Sequence, residues 1–211
     1  MNEQAPVPPA RLKKNRLMLL LLLATFVVPF MVGDLAYKLG WYQGGKTNRG
    51  QLIDPPIAFA DIKARNAEGV VQSAAFAKKG WWLLYVMPAQ CEAACRNRLF
   101  QMRQVRKALG KEGDRVSPLL VLTGSLAAET EALLVKEFGD FDRLEASAQD
   151  VNTALVRLHP EAANAGQLYI MDPMGWLMLA YAPEPDEKAS VIKAEDIFND
   201  LRKLLKASRI G

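Results

Sequence analysis

Cys91 and Cys95 are the only cysteines in a chain of 211 residues, and His159 is its only histidine. Whatever chemistry the chain performs with soft or titrating side chains therefore uses two thiols and at most one imidazole. On a helix, positions i and i+4 share a face with Cβ atoms about 5–6 Å apart. Thiols so placed can close a disulfide or reach one metal ion. A helix N-terminus, with its unpaired N–H groups and positive dipole end, favours thiolate over thiol. Thiolates are the soft ligands that select Cu(I), and also zinc and iron–sulfur clusters. A tetrahedral zinc site would want a fourth protein ligand, whereas Cu(I) is content with two or three. The redox alternative makes Cys91 the attacking thiolate and Cys95 the resolving one, although the usual redox motif has only two intervening residues. The third alternative is an inert staple. Closing a loop of about five residues stabilises a fold by only about 2 kcal/mol.

Composition narrows the field further. Half of the residues are hydrophobic, so the chain can build a core and disorder is not expected. The formal net charge is +4, with acids and bases interleaved. No basic stripe with interleaved aromatics points to nucleic acid. Two cysteines are too few for a disulfide framework or a four-cysteine zinc site.

The elements that must position the pair read out in order. Gly80 opens an apolar strand over Trp81–Val86 that suits burial on both faces. Met87–Gln90 is a loop, and Cys91–Leu109 has helical periodicity ending at Gly110. Pro118–Thr123 is a second apolar strand, followed by a helix capped by Ser125 and reaching about Phe138. Phe141–Glu145 reads as a short strand or loop, and Ser147 caps a helix to about Leu158. Gln167–Met171 and Trp176–Tyr181 form a hairpin across Asp172-Pro173-Met174-Gly175. An amphipathic helix over 189–207 closes the chain, with Val191, Ile192, Ile197, Leu201, Leu204 and Leu205 expected to face inward. Upstream, Pro56–Ala60 reads as a short edge strand with a turn near Asn66–Gly69. The order predicts an α/β fold of thioredoxin-like type, a mixed central sheet with helices on both faces. Trp81, Trp82 and Met87 are expected in the core, and Met174 in an exposed turn. Arg96, Arg98, Arg103, Arg106 and Lys107 read as a basic face of the cysteine helix, able to dock an acidic partner.

Delivery is written into the N-terminus. Arg11, Lys13, Lys14 and Arg16 precede Leu17–Gly33, a run without charge. At 1.5 Å per residue it spans roughly 25 Å, and continuing through Leu39 completes a ~30 Å hydrocarbon core. Tyr37, Trp41 and Tyr42 suit the interface. No small-x-small cleavage site follows Val32, which favours an uncleaved anchor over a signal peptide. The expected organisation is a cytoplasmic tail over 1–16, a transmembrane anchor over 17–39, a linker over 40–56 and the folded domain over 57–211. The basic residues ahead of the anchor put the N-terminus in the cytoplasm and the domain outside.

The anchor, the apolar strand, Cys91-x-x-x-Cys95 and the late Leu168-Tyr169-Ile170-Met171-Asp172-Pro173-x-Gly175 hairpin resemble the Sco/SenC family. Its members are membrane-anchored thioredoxin-fold proteins that handle copper for the dinuclear centre of cytochrome c oxidase. Thr47-Asn48-Arg49-Gly50-Gln51-Leu52, Leu84-Tyr85-Val86 and Met102-Arg103-Gln104-Val105-Arg106 look like a divergent, small transmembrane branch associated with bacterial oxidase assembly. The resemblance implies Cu(I) held by Cys91 and Cys95, oxidase subunits or assembly factors as partners, and a bacterial inner-membrane protein with a periplasmic domain. It also implies a copper-binding histidine about five residues before the hairpin tyrosine. Counting back from Tyr169 gives Asn164, while His159, ten residues before Tyr169, becomes the candidate third ligand. Glu92 and Arg96 stand where the family has proline after each cysteine. Three roles stay open: Cu(I) handling, thiol–disulfide reduction of the oxidase's copper-ligand cysteines, or assembly without metal.

Overall fold

The structure, a computed structural model, describes residues 9–41, 47–72, 80–160, 162, 166–184 and 187–208. It divides into two compact units, Met1–Thr47 and Asn48–Gly211.

In the first unit, α1 runs Pro9–Lys38, and its part from Lys14 to Lys38 is long and apolar enough to cross a membrane. Leu17 to Leu23, Phe26 and Phe30 all leave their side chains outside any core, as a helix apolar all round should when lipid is its solvent. The Thr25 hydroxyl donates to the Leu22 carbonyl at 2.6 Å. Lys38 meets Asp34 at 2.8 Å beyond the apolar run. Tyr37 and Trp41 are exposed, as interfacial aromatics would be. Tyr42 and residues 1–8 of the expected tail lie outside the described residues.

The second unit is built on one mixed sheet of six strands, β1 Gln51–Ala58, β2 Trp81–Met87, β3 Val116–Leu122, β4 Asp142–Glu145, β5 Leu168–Met171 and β6 Trp176–Tyr181. Their spatial order is β1-β6-β5-β2-β3-β4. The helices are α2 Ala93–Ala108, α3 Ala128–Glu137, α4 Ala148–Leu155 and α5 Glu187–Ala207. The α/β fold with a mixed sheet between helices is as the residue pattern predicts.

β2 lies inside the sheet, parallel to β3 from Trp81↔Val116 to Met87↔Leu122 and antiparallel to β5 from Trp82↔Met171 to Tyr85↔Leu168. Period-two alternation divides its side chains between two cores. Trp81, Leu83, Tyr85 and Met87 pack with Leu99 and Met102 of α2, Leu134 of α3, and Ile197, Leu201 and Leu205 of α5. Trp82, Leu84 and Val86 pack with Val151 and Leu155 of α4, and with Phe59 and Ile62 of a 3₁₀ turn. The hairpin turns as expected: Asp172 Oδ1 accepts from the N–H groups of Met174 and Trp176 at 2.9 and 2.8 Å. Gly175 takes φ 85°, a conformation that favours glycine. Met174 is exposed there.

Several boundaries differ from expectation. The edge strand begins at Gln51 rather than Pro56, because β6 offers its free side from Ala180 onward; a bulge between Leu52 and Ile57 absorbs Pro55 and Pro56, which cannot donate. Ser125 caps nothing: α3 starts three residues later, with Ala127 at its N-cap. Ser147 does cap α4, accepting from the Asp150 N–H at 3.0 Å. Val191 and Ile192 are 68% and 63% exposed rather than inward-facing, whereas Ile197, Leu201 and Leu205 are buried in the core and Leu204 packs against it, as expected.

A buried carboxylate ties the segment ahead of β1 to the domain. Asp200 of α5, 2% exposed, accepts from the backbone N–H groups of Arg49 and Gly50 at 2.8 Å each, and from the Tyr181 hydroxyl at 2.9 Å. Gly50 lies so close to Tyr181 that a Cβ would stand 2.6 Å from the ring. Gly50→Ala is therefore expected to destabilise the domain by about 1–3 kcal/mol through overpacking. Asp200→Ala should cost at least as much, by stranding the donors it serves. Asp196→Ala, which loses the looser ion pairs to Arg49 at 3.4 Å and to Lys193 at 3.5 Å, should cost under about 1 kcal/mol. Urea midpoints of the three variants check the ranking.

Candidate functional site

The site sits where β2 runs out. After Met87 the chain leaves the sheet, Pro88 is half-buried, and Ala89 and Gln90 are exposed. Three contacts fasten this loop to its neighbours. The Thr123 hydroxyl donates to the Met87 carbonyl at 3.4 Å, the Ala127 N–H to the Ala89 carbonyl at 3.1 Å, and the Cys91 N–H to Thr130 Oγ1 at 3.1 Å. Arg96 folds back so that its Nε donates to the Cys91 carbonyl at 3.3 Å. Both backbone polar groups of Cys91 are thus satisfied by residues that the cysteine motif alone does not reveal. Thr130, buried on α3, is the most important of them. Nothing in its sequence neighbourhood marks it, because its role comes from the packing of α3 against the loop.

Cys91 and Cys95 are joined in a disulfide with their Cα atoms 5.0 Å apart. The helix starts later than its periodicity predicts, at Ala93 with Glu92 as N-cap, so Cys91 precedes α2 and Cys95 lies in its first turn. The residues are 6% and 4% exposed, and belong to the same core cluster as Tyr85, Met87 and Leu99. Glu92, Ala93, Ala94 and Arg96 around them are exposed. The bond thus lies just beneath a surface of small and charged residues. Both sulfurs thus adjoin the helix N-terminus, which favours the thiolate that forms when the bond opens.

The expected third ligand is not assembled with the pair. Among the described residues, no group of three or more His, Cys, Asp and Glu side chains is placed to hold a metal ion. His159 is exposed and follows α4, whose apolar residues Val151 and Leu155 lie in the core opposite the cysteines. Asn164, the position the resemblance indicates, lies outside the described residues. Met87 is buried core. Once opened, the pair would offer a soft cation two sulfur donors from the described residues.

The basic face of the cysteine helix survives folding only in part: Arg96 and Lys107 stay exposed. Arg98 is buried, Arg103 stacks on the rings of Phe100 and Phe138 at 4.7 and 4.9 Å, and Arg106 pairs with Asp140 at 2.9 Å. Helical spacing groups these residues, but their stems and heads are used inside the domain.

Comparison with known proteins agrees with the architecture. The family model described as "transmembrane-like, thioredoxin-like, C-terminal domain" matches residues 81–208. No curated protein matches the chain. BsSco, a member of the Sco family of cytochrome c oxidase assembly proteins described for a disulfide switch, superposes with a TM-score of 0.50 at 16% identity; the match covers 79% of this chain and 100% of that one. A thiol:disulfide interchange protein from Bacteroides sp. gives 0.47 at 15% identity, covering 76% and 91%. Copper-bound ScoI of Arabidopsis thaliana gives 0.45 at 11% identity, covering 71% and 98%.

Two measurements check the site's construction. Reducing the disulfide should lower the unfolding free energy by about 2 kcal/mol, the entropy of a five-residue loop. Thr130→Val should cost about 1–3 kcal/mol by leaving the Cys91 N–H unpaired, and should do so equally in the oxidised and reduced protein.

Proposed function

The chain belongs to the transmembrane-like, thioredoxin-like C-terminal domain family, and from that premise we propose that it is a membrane-anchored thiol–disulfide exchange protein acting in cytochrome oxidase assembly. The observation that carries this reading is the closed Cys91–Cys95 bond at a helix N-terminus, without a third metal donor gathered beside it among the described residues. In the reducing direction, a Cys91 thiolate attacks one sulfur of a partner's disulfide and displaces the other as thiolate. Cys95 then attacks Cys91, the mixed bond breaks, and the partner leaves with both thiols. The electrons lost by the pair are those the partner gains. The partner class is an outward-facing protein with a closely spaced cysteine pair, such as the copper-ligand cysteines of an oxidase subunit. The anchor keeps the domain at the membrane where such a subunit is built. The inner membrane, a cytoplasmic N-terminus and a periplasmic domain complete the proposal, supported by the basic residues Arg11, Lys13, Lys14 and Arg16 ahead of the apolar run of α1.

A second reading rests on the same two sulfurs. Their Cα atoms stand 5.0 Å apart in the closed bond, and on reduction the two sulfurs become soft donors suited to carrying Cu(I) as cargo. His159 enters this reading only as a side chain supplied by loop movement.

Two assays separate the readings. With a synthetic peptide bearing an oxidised Cys-x3-Cys pair, reduced wild type should open the peptide. Cys95→Ser should accumulate the mixed disulfide through Cys91, and Cys91→Ser should do neither. An inert wild type defeats exchange. Titration of the reduced protein with Cu(I) against a chromophoric chelator should show weak binding unchanged by His159→Ala; tight binding lost in that variant would favour the cargo reading. Labelling of cysteines placed at the N-terminus and in the domain should report opposite sides of the membrane.

A further inference from the structure

Arg98 is a buried cation that the exchange steps leave unused. The residue is 3% exposed. Its guanidinium donates to Gln101 Oε1 and, at 2.6 Å, to the Ala182 carbonyl. Gln101 in turn donates to the Ser190 carbonyl at 2.7 Å, fixing the fork from the α5 side. Both acceptors are neutral, and among the described residues no carboxylate comes within ion-pair distance. Glu184 attracts it only from beyond that distance. Fully buried arginines are rare without a partner, because an uncompensated charge is costly to desolvate. Here burial pushes the Arg98 pKa down from its ordinary value, and it pushes the Tyr85 phenol up to about 12.

The described residues place no counter-charge within ion-pair distance, and one redox state of the pair supplies one. Arg98 follows Cys95 by three residues on α2, the spacing that makes helical side chains neighbours. Tyr85, whose phenol interacts with the guanidinium, belongs to the same buried cluster as both cysteines. Oxidised, the cysteines are neutral. Taking up two electrons and one proton, they become one thiol and one thiolate. A fixed cation in a poorly screened interior then acts on the reduced form and leaves the disulfide untouched.

We propose that Arg98 is the built-in counter-charge of the reduced Cys91/Cys95 pair, a positioning residue that stabilises the thiolate and makes the disulfide a stronger oxidant. This rests on the exchange reading and adds to it a determinant of direction. A pair whose reduced form is stabilised accepts electrons more readily, whereas losing the charge would shift it toward a stronger reductant.

The test is the equilibrium constant of the full-length protein in detergent with glutathione: two molecules of glutathione reduce the disulfide and leave as their own disulfide. Dithiothreitol couples extend the range, so a value is obtained wherever the potential lies. Arg98→Met and Arg98→Gln are expected to be reduced about tenfold less favourably, which is about 30 mV for two electrons. Arg98→Lys, which keeps the charge, should stay within about twofold of wild type. Arg103→Met, on the same helix but stacked on phenylalanine rings, should lower the melting temperature without moving the constant. A folded neutral variant with the wild-type constant overturns the proposal, as does a tenfold shift in Arg103→Met. Should both neutral variants lose the fold, Arg98→Lys decides: the wild-type constant upholds the proposal, and a tenfold fall overturns it. A wild-type potential too low for exchange would instead defeat the reading of function, and the Arg98 difference would still be read.

Discussion

The pairing of β2 with β3 on one side and β5 on the other fixes everything that matters at the cysteines. Seven consecutive residues, Trp81–Met87, are buried along this strand, each large side chain contributing about 1.5–3 kcal/mol on leaving water. A one-residue slip would exchange the two faces and place Trp82, Leu84 and Val86 against α2. Register is therefore strongly specified, and with it the point at which the chain leaves the sheet. The loop that follows is short and pinned by Thr123, Ala127 and Thr130. The disulfide is placed by the sheet and then only finely adjusted by the helix.

A second constraint works from the opposite end of the sheet order. Asp200, Tyr181 and the backbone of Arg49 and Gly50 form one buried polar cluster in which the carboxylate has three donors. It joins α5 and β6 to the stretch entering β1. α5 also packs directly on α2 in the core that holds the cysteines, and the Arg98–Gln101–Ser190 chain of hydrogen bonds links the same two helices. The stretch entering β1, the closing helix and the cysteine helix are thus joined by buried contacts within the second unit.

The strands, the closing helix and the disulfide-bearing turn were legible because each has a local cause. An unbroken apolar run marks β2, Asp-Pro-Met-Gly marks the hairpin, and two cysteines four apart at the end of a strand mark the site. What could not be read depends on packing between distant residues. The strand from Gln51 is hidden by Pro55 and Pro56, and exists because β6 has a free side. Ser125 has capping chemistry but no helix behind it. Arg98, Arg103 and Arg106 share a helical stripe with solvent-exposed Lys107, and only the third dimension shows one buried, one stacked and one paired. For the same reason Thr130 was silent. His159 was chosen because the composition offers no other imidazole, and its exposure past the end of α4 is a property of the fold.

Thiol–disulfide exchange requires that the Cys91–Cys95 bond open under conditions a cell maintains. Its midpoint potential, measured on the purified full-length protein against glutathione at pH 7, tests that directly. A value between about −120 and −270 mV, where exchange proteins operate, is predicted. A value below about −300 mV, the range of structural disulfides, would contradict it and make the bond a staple.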